Sequence, residues 1–202
     1  MSGYYKTSND VGVFGRISFL IFIVVLGIES ARQTVARLKK GRRVEELEQF
    51  ALNDSMTGMY NRNAYDYFVK NEKDFEGYVI VTFDLNNLKQ CNDQYGHRAG
   101  DEYIINAAHI IEDNFERYGK CYRIGGDEFC CIIPKGRYFK IERVMHKIDQ
   151  DVEILNHKNI IPVPVGIAYG YAVFTEDDTD PEKVRERADE DMYRNKKAMK
   201  QS

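Results

Sequence analysis

A double glycine at positions 125–126 is the sequence feature that most restricts the fold of this chain. It separates two short runs of β-branched, aromatic and cysteine side chains, 121–124 and 129–133. Two glycines between such runs are a strong hairpin signal, because glycine lacks a Cβ and allows tight turn geometry. Asp127 and Glu128 follow the glycines, so the sequence predicts a β-hairpin with two carboxylates at its tip.

A buried strand that ends in a third acid precedes this hairpin. Residues 78–84 form a dense run of β-branched and aromatic side chains, closed by Asp84. If the hairpin lies beside that strand, Asp84, Asp127 and Glu128 converge at one sheet edge. Clustered carboxylates repel one another, so we expect a bound divalent cation. Oxygen ligands favour Mg²⁺, which usually shares its coordination with substrate phosphates, so the expected substrate is a nucleoside triphosphate.

Helical and strand patterns alternate through the rest of residues 53–202, which predicts one α/β domain. The length of 202 residues suits one such domain and a modest extra segment. After the central strand, the patterns predict a core-facing helix with apolar positions from 104 to 115, the hairpin, a second helix with apolar positions from 141 to 155, a glycine-interrupted strand at 163–174, and a final polar helix from Pro181 to Lys200.

The segment before this domain has a different composition. Residues 1–28 consist of a polar start and an apolar stretch at about 11–28, interrupted by Arg16. Such a stretch is close to the minimum length for a membrane helix, and a buried or interfacial helix is the alternative. We favour the membrane because a basic cluster follows, which predicts a protein of the cell inner membrane with its catalytic domain in the cytoplasm. The cluster comprises Arg32, Arg37, Lys39, Lys40, Arg42 and Arg43.

Residues 29–52 predict a helical linker, either a solvated spacer or a short coiled coil. The net charge of −3 gives no reason to expect nucleic acid as a partner. The four cysteines lack CxxC spacing, so we expect reduced core thiols.

The hairpin and four further blocks resemble the GGDEF family of diguanylate cyclases. The hairpin block, RIGGDEF at 123–129, resembles the family signature. The other blocks occur in the family's order: DSMTGMYNR at 54–62 resembles DxLTGLxNR, DLNNLKQCND at 84–93 resembles the metal strand and its helix, GH with GD at 96–101 resembles GHxxGD, and ADEDMYRNKKAMK at 188–200 resembles the closing ADxALYxAKxxGR.

The resemblance implies an α/β, palm-like fold: a central, mostly antiparallel five-stranded sheet flanked by helices, preceded by an N-terminal helix. It implies condensation of two GTP molecules into cyclic di-GMP and two pyrophosphates by a two-metal mechanism. Because one domain holds one GTP, a homodimer with the site at its interface is required. Two Mg²⁺ ions are expected in each site, with Mn²⁺ as a possible substitute.

The resemblance also assigns roles to individual residues. Asp84, the carbonyl of Leu85, Asp127 and Glu128 would hold the metals, and Asp127 would help deprotonate the ribose 3′-hydroxyl. Glu128 and Lys89 complete the catalytic group. The substrate-binding positions are Asn92 and Asp101 at the guanine edge, Lys89, Lys196 and Lys200 at the phosphates, Gly125 and Gly126 at the turn, and His97, for which a structural role is the alternative.

The sequence departs from the family pattern in three places, the third of which covers two positions. Asn86 stands where many members have a second Asp, and Ala168 where a Ser is common. Glu116 and Gly119 occupy the Arg and Asp positions of the RxxD product-inhibition motif, so we expect no feedback through that site. Three other functions stay open: a catalytically silent sensor that binds GTP or a partner protein, an enzyme that makes a mixed cyclic dinucleotide, and a membrane-tethered interaction module.

Overall fold

The computed structural model describes residues 15–16, 18–19, 22–33, 51–136 and 140–199. The chain divides into two units, 1–49 and 50–202. In the first unit, residues 22–33 are helical and exposed, and they include large apolar side chains such as Phe22, 58% exposed. Within the described part of the chain, no helix combines the length and apolar character needed to cross a membrane. Residues 11–14, 17 and 20–21 of the predicted membrane helix, and residues 34–50 of the predicted linker, lie outside the described residues.

The second unit alternates strands and helices, as the sequence pattern predicts. In chain order the described elements are β1 (Tyr60–Asn61), α1 (Arg62–Asn71), β2 (Val79–Asn86), α2 (Leu88–Tyr95), α3 (His97–Phe115), β3 (Lys120–Arg123), β4 (Glu128–Ile133), α4 (Ile141–His157), β5 (Gly166–Val173) and α5 (Pro181–Met199).

The strands form one five-stranded sheet in the order β1-β3-β4-β2-β5. Strand β2 lies between β4 and β5 and is antiparallel to both. Strands β3 and β4 are antiparallel, and β1 pairs with β3 in parallel. The predicted α/β class and the mostly antiparallel five-stranded sheet are therefore confirmed.

Each face of the sheet packs against its own set of helices. Val81, Phe83 and Leu85 of β2 join a core that includes buried residues of α2, α3 and α4. Ile80 belongs to a second core with α1, α5 and the opposite face of β4. Because side chains alternate along a strand, Asp84 lies on the same face as Ile80, the face that α5 covers.

Helix α5 packs closely against β5 because Gly170 has no side chain. A Cβ at this position would lie 2.1 Å from the backbone nitrogen of Met192 and 2.4 Å from the carbonyl oxygen of Ala188. These are backbone atoms of the helix, and they cannot move without moving the helix. Glycine therefore sets the distance between α5 and the sheet.

Helix α5 also satisfies backbone groups on the free edge of β5. The backbone N–H of Tyr171 donates to Asp191 at 3.2 Å, and the Asn195 side-chain amide donates to the carbonyl of Tyr169 at 3.0 Å. These bonds fix the register of the helix along the strand. They also occupy an edge that would otherwise be open to another strand.

The four cysteines are buried free thiols, as the sequence predicts. Cys121 and Cys131 face each other across β3 and β4, with their sulfur atoms 2.9 Å apart. Burial raises the pKa of Cys130 well above its ordinary value. The buried thiol is therefore protonated and behaves as a small apolar side chain.

Candidate functional site

The predicted hairpin lies beside the central strand and brings the acidic positions to one end of the sheet. Asp84 of β2 is the register partner of Glu128 of β4, so these two residues face each other directly. One step further along, the backbone N–H of Leu85 donates to the carbonyl of Asp127 at 3.1 Å. All four predicted metal ligands therefore lie within one turn and the strand next to it.

The side chains of Asp84 and Glu128 make contacts of their own in this structure. The Asp84 carboxylate forms an ion pair with the ammonium group of Lys196 from α5. The Glu128 carboxylate folds back over the turn, since a Cβ on Gly125 would lie 2.9 Å from its Oε2 atom. Among the described residues, no three His, Cys, Asp or Glu side chains are grouped closely enough to hold a metal ion.

The donor atoms nevertheless suit a hard divalent cation. Carboxylate oxygens of Asp84, Asp127 and Glu128 and the carbonyl of Leu85 are the oxygen ligands that Mg²⁺ prefers. The Asp84 carboxylate already binds one cation, the ammonium group of Lys196. A magnesium ion would take some of its ligands from the protein and complete its coordination with phosphate oxygens.

The two glycines of the hairpin have different environments. Neither has a positive φ, so the turn does not depend on the left-handed conformation that glycine permits. Gly125 leaves room for the Glu128 side chain, whereas a Cβ on Gly126 would meet nothing within 4 Å. A side chain at position 125 would therefore displace the Glu128 carboxylate from the turn, and Gly126 leaves open space on the outside of the turn.

Arg123 holds the turn from outside, a role that the sequence patterns did not identify. Its Nη2 atom donates to the carbonyl of Gly126 at 2.9 Å, and its Nη1 atom donates to Asp54 at 3.0 Å. Asp54 also accepts hydrogen bonds from the backbone N–H and hydroxyl of Thr57, at 2.9 and 2.8 Å. Both residues belong to motif blocks in the sequence, but spacing alone does not show that they meet.

The charge of Asp54 is stabilised by these contacts. Burial acts to raise the pKa of its carboxyl group, but the hydrogen bonds from Thr57 and from the Arg123 guanidinium outweigh burial and lower the pKa below 3.8. Asp54 therefore stays ionised and paired with Arg123 at neutral pH.

The predicted guanine-binding residues lie on α2 and α3, which follow directly after β2. The side chain of Asn92 lies against Gly100, where a Cβ would be 2.0 Å from its Oδ1 atom. Asp101, the next residue, is exposed near the start of α3, and His97 is exposed at the first position of that helix. Lys89 is exposed in the first turn of α2. The structure therefore places Asn92 against the residue that precedes Asp101, and it leaves Asp101, His97 and Lys89 accessible.

The predicted phosphate-binding lysines come from two different elements. Lys196 lies near the end of α5 and reaches Asp84, while Lys89 is on α2. Lys200 lies outside the described residues. Two of the three predicted lysines, Lys89 and Lys196, therefore lie near the end of β2.

Residues 116–119 occupy the place of the family's RxxD motif. Their backbone leaves no room for the aspartate of that motif at position 119. A Cβ on Gly119 would be 2.1 Å from the carbonyl oxygen of Ile132. Glu116 follows α3 directly as its C-cap residue. The absence of an Asp at position 119 therefore has a steric basis.

Comparison with known proteins gives one family. The model of "Diguanylate cyclase, GGDEF domain" matches residues 51–202. The chain is 31% identical over 147 residues to the bifunctional diguanylate cyclase/cyclic di-GMP phosphodiesterase MucR of Pseudomonas aeruginosa, which covers 68% of this chain and 22% of that protein. It is 29% identical over 158 residues to diguanylate cyclase DgcS of Shewanella oneidensis, covering 75% and 52%. The chain thus spans about a fifth to a half of the length of these relatives.

Solved structures show the same fold. The coiled coil and GGDEF domain of DgcB from Caulobacter crescentus, in complex with c-di-GMP, superposes with a TM-score of 0.71 at 23% identity, covering 86% of this chain and 95% of that one. Diguanylate cyclase SiaD of Pseudomonas aeruginosa, in complex with its activator SiaC, gives a TM-score of 0.64 at 21% identity, covering 97% and 77%.

Proposed function

Since this chain belongs to the GGDEF family of diguanylate cyclase domains, we propose that it condenses two GTP molecules into cyclic di-GMP and two pyrophosphates. The observation that carries the proposal is the register of β2 against β4. It sets Asp84 opposite Glu128, beside the bond between Leu85 and Asp127. Oxygen ligands at these neighbouring positions, near the end of the central strand, suit a metal-bound triphosphate.

In the proposed reaction, the 3′-oxygen of one GTP forms a bond to the α-phosphorus of the other. The bond between the α- and β-phosphates breaks, and pyrophosphate leaves. Asp127 accepts the proton of the 3′-hydroxyl, and Lys89 and Lys196 hold the phosphate charges. Two bound Mg²⁺ ions would lower the pKa of the hydroxyl and stabilise charge on the departing group. Otherwise, the chain's own residues mainly position the reactants.

Guanine selection is assigned to Asn92 and Asp101. The Asn92 amide lies against Gly100, so its position is restricted, and the neighbouring Asp101 carboxylate is exposed. An amide and a carboxylate together can bond both the acceptor and the donors on the guanine edge. Adenine lacks that pattern, so ATP would leave these polar groups without partners and bind less well.

The active species is proposed to be a homodimer. One site holds one GTP, and the product needs two in opposed orientation, so two sites must face each other. Residues 29–52 precede the domain and are suitably placed in the sequence to control that pairing. We assign residues 11–28 to the cell inner membrane and the catalytic domain to its cytoplasmic side. The exposed apolar side chains at 22–28 and the basic residues that follow support this assignment.

A catalytically silent GTP-binding or protein-interaction domain is the second candidate. Two observations favour it: the described acids do not group into a three-ligand site, and one relative, PdeR of Escherichia coli, is named as a cyclic di-GMP phosphodiesterase. That relative is 28% identical over 176 residues. The intact Asp84 and Gly125–Phe129 signature favours the enzyme.

Product identification separates the two candidates. The full chain would be incubated with Mg²⁺ and either GTP or ATP, and the products would be separated by chromatography. Cyclic di-GMP from GTP, and none from ATP, is the expected result. Asp127→Ala should abolish it, whereas Asp113→Asn, an exposed acid on α3, should not. A mixed or adenine-containing product would overturn the roles of Asn92 and Asp101.

A further inference from the structure

The ion pair between Asp84 and Lys196 joins two residues with separate roles in the proposed reaction. Asp84 is a proposed metal ligand near the end of β2, and Lys196 is a proposed phosphate ligand near the end of α5. The residues are 112 positions apart in sequence, and their side chains are 19% and 25% exposed. In this structure the lysine therefore neutralises the carboxylate that the metal would need.

The backbone that carries Lys196 is fixed. Asn195, its neighbour, bonds the carbonyl of Tyr169, and Gly170 sets the close approach of the helix to β5. A shift of the helix would break these contacts. The long, flexible side chain of Lys196 can still rotate, so the ammonium group can leave Asp84 while α5 stays in place.

We propose that Lys196 is an exchangeable counter-ion: it occupies Asp84 in the free protein and transfers to the triphosphate when the metal-bound nucleotide enters. This rests on the proposed function, because it takes Asp84 as a metal ligand. A divalent ion approaching Asp84 alone must displace Lys196 and meets its positive charge. With the nucleotide present, the phosphates supply a new partner for the ammonium group.

The consequence is coupling between metal and nucleotide binding. Free Mg²⁺ binds Asp84 weakly, while nucleotide raises the affinity of the site for metal. Thermodynamic linkage requires that metal raise the affinity for nucleotide by the same factor. Lys196 thus lowers metal occupancy of the site when substrate is absent.

The test is Mn²⁺ binding to the full chain, followed by electron paramagnetic resonance, which needs no turnover. Without nucleotide, Lys196→Gln should bind Mn²⁺ at least about fivefold more tightly than the parent chain. Lys196→Arg keeps the charge and should resemble the parent. Lys183→Gln removes an exposed lysine elsewhere on α5 and controls for net charge. Adding Asp84→Asn to Lys196→Gln should cancel the gain.

A GTP analogue with a methylene bridge between the α- and β-phosphates completes the experiment. The analogue should raise the affinity for Mn²⁺ by a large factor in the parent chain and by a much smaller factor in Lys196→Gln. Suppose that Mn²⁺ binding depends on Asp84 but is unchanged or weakened in Lys196→Gln. That result would overturn the exchange of Lys196 and leave the proposed function standing. If no variant bound Mn²⁺, even with the analogue, both this inference and the proposed function would fail. Thermal unfolding of each variant would verify that it is folded.

Discussion

At the scale of single residues, Arg123 and Asp54 connect the start of the domain to its hairpin. The guanidinium group bonds both the Gly126 carbonyl and the Asp54 carboxylate, and Asp54 is held by Thr57. Asp54 follows the predicted linker almost directly in sequence. Asp54 and Arg123 therefore tie the segment at 54–57 to the turn that carries Asp127.

The Asp54–Arg123 pair predicts a pH dependence of stability. The pKa of Asp54 is lowered in the folded protein, so its contribution is complete above the unfolded pKa of 3.8 and is lost as pH falls through the lower, folded value. At pH 7, Asp54→Asn should cost about 1 to 2 kcal/mol of unfolding free energy. Urea unfolding from pH 7 to pH 3 should show that difference shrinking. A difference that stayed constant over this pH range would contradict the assigned role.

Gly170 supplies a prediction about packing. The Cβ of Gly170→Ala would lie 2.1 Å from a backbone atom of α5, so the helix must shift. The expected loss is about 1 to 3 kcal/mol or more, measured by chemical denaturation. Gly126→Ala, where a Cβ meets nothing within 4 Å, is the matched control and should change stability little. Equal stability of the two variants would refute the proposed contact.

At the scale of elements, Tyr103 joins α3 to the ends of two strands. Its hydroxyl donates to the carbonyl of Asn86 at 2.5 Å and accepts the backbone N–H of Gly166 at 2.7 Å. Burial raises the pKa of Tyr103 to about 12, so the hydroxyl keeps its proton. This one side chain fixes where β2 ends and β5 begins, next to the helices proposed to bind guanine.

Removing that hydroxyl should loosen the junction. Tyr103→Phe leaves the Gly166 N–H without its partner, at a cost of about 1 to 3 kcal/mol. Faster amide hydrogen exchange at Gly166 should accompany the loss. Tyr67→Phe serves as the control, since Tyr67 is 66% exposed. Unchanged exchange at Gly166 would show that another group satisfies this N–H.

Sequence patterns predicted the elements whose signals are local. The run at 78–84 corresponds to β2, the double glycine to the β3–β4 hairpin, and the stretch at 163–174 to β5. Strand β1 has only two residues and pairs with β3 in parallel, so no local period indicates it. The contacts of Arg123 with Asp54 and of Lys196 with Asp84 join distant residues through the folded chain. Spacing cannot reveal such contacts, although the family resemblance identified the blocks that contain them.

At the scale of the whole molecule, we expect the proposed enzyme to lack the product inhibition of members with an RxxD motif. Gly119 has no space for a side chain, and Glu116 replaces the arginine. Micromolar cyclic di-GMP should therefore leave the rate unchanged at all GTP concentrations. A cavity of about 320 Å³ nearby is lined by basic residues that include Lys140, Arg143 and Lys147. Noncompetitive inhibition that Arg143→Ala relieves would show that product binds there instead.

The proposed homodimer sets how the rate should depend on concentration. If two GTP-loaded sites must meet, the rate per chain rises with protein concentration until the dimer is saturated. Initial rates give the rate per chain, and sedimentation gives the fraction of dimer. Both would be measured on the full chain over the same range of protein concentration. A constant rate per chain from a monomeric sample would contradict reaction at a dimer interface.

The central claim, that the cluster of Asp84, Asp127 and Glu128 joins GTP molecules, is tested most directly by counting both products of one reaction. The full chain with Mg²⁺ and radiolabelled GTP should release two pyrophosphates for each cyclic di-GMP, and Asp84→Asn should release neither. Tight GTP binding without any pyrophosphate from the parent chain would contradict the account and identify a silent GTP-binding domain.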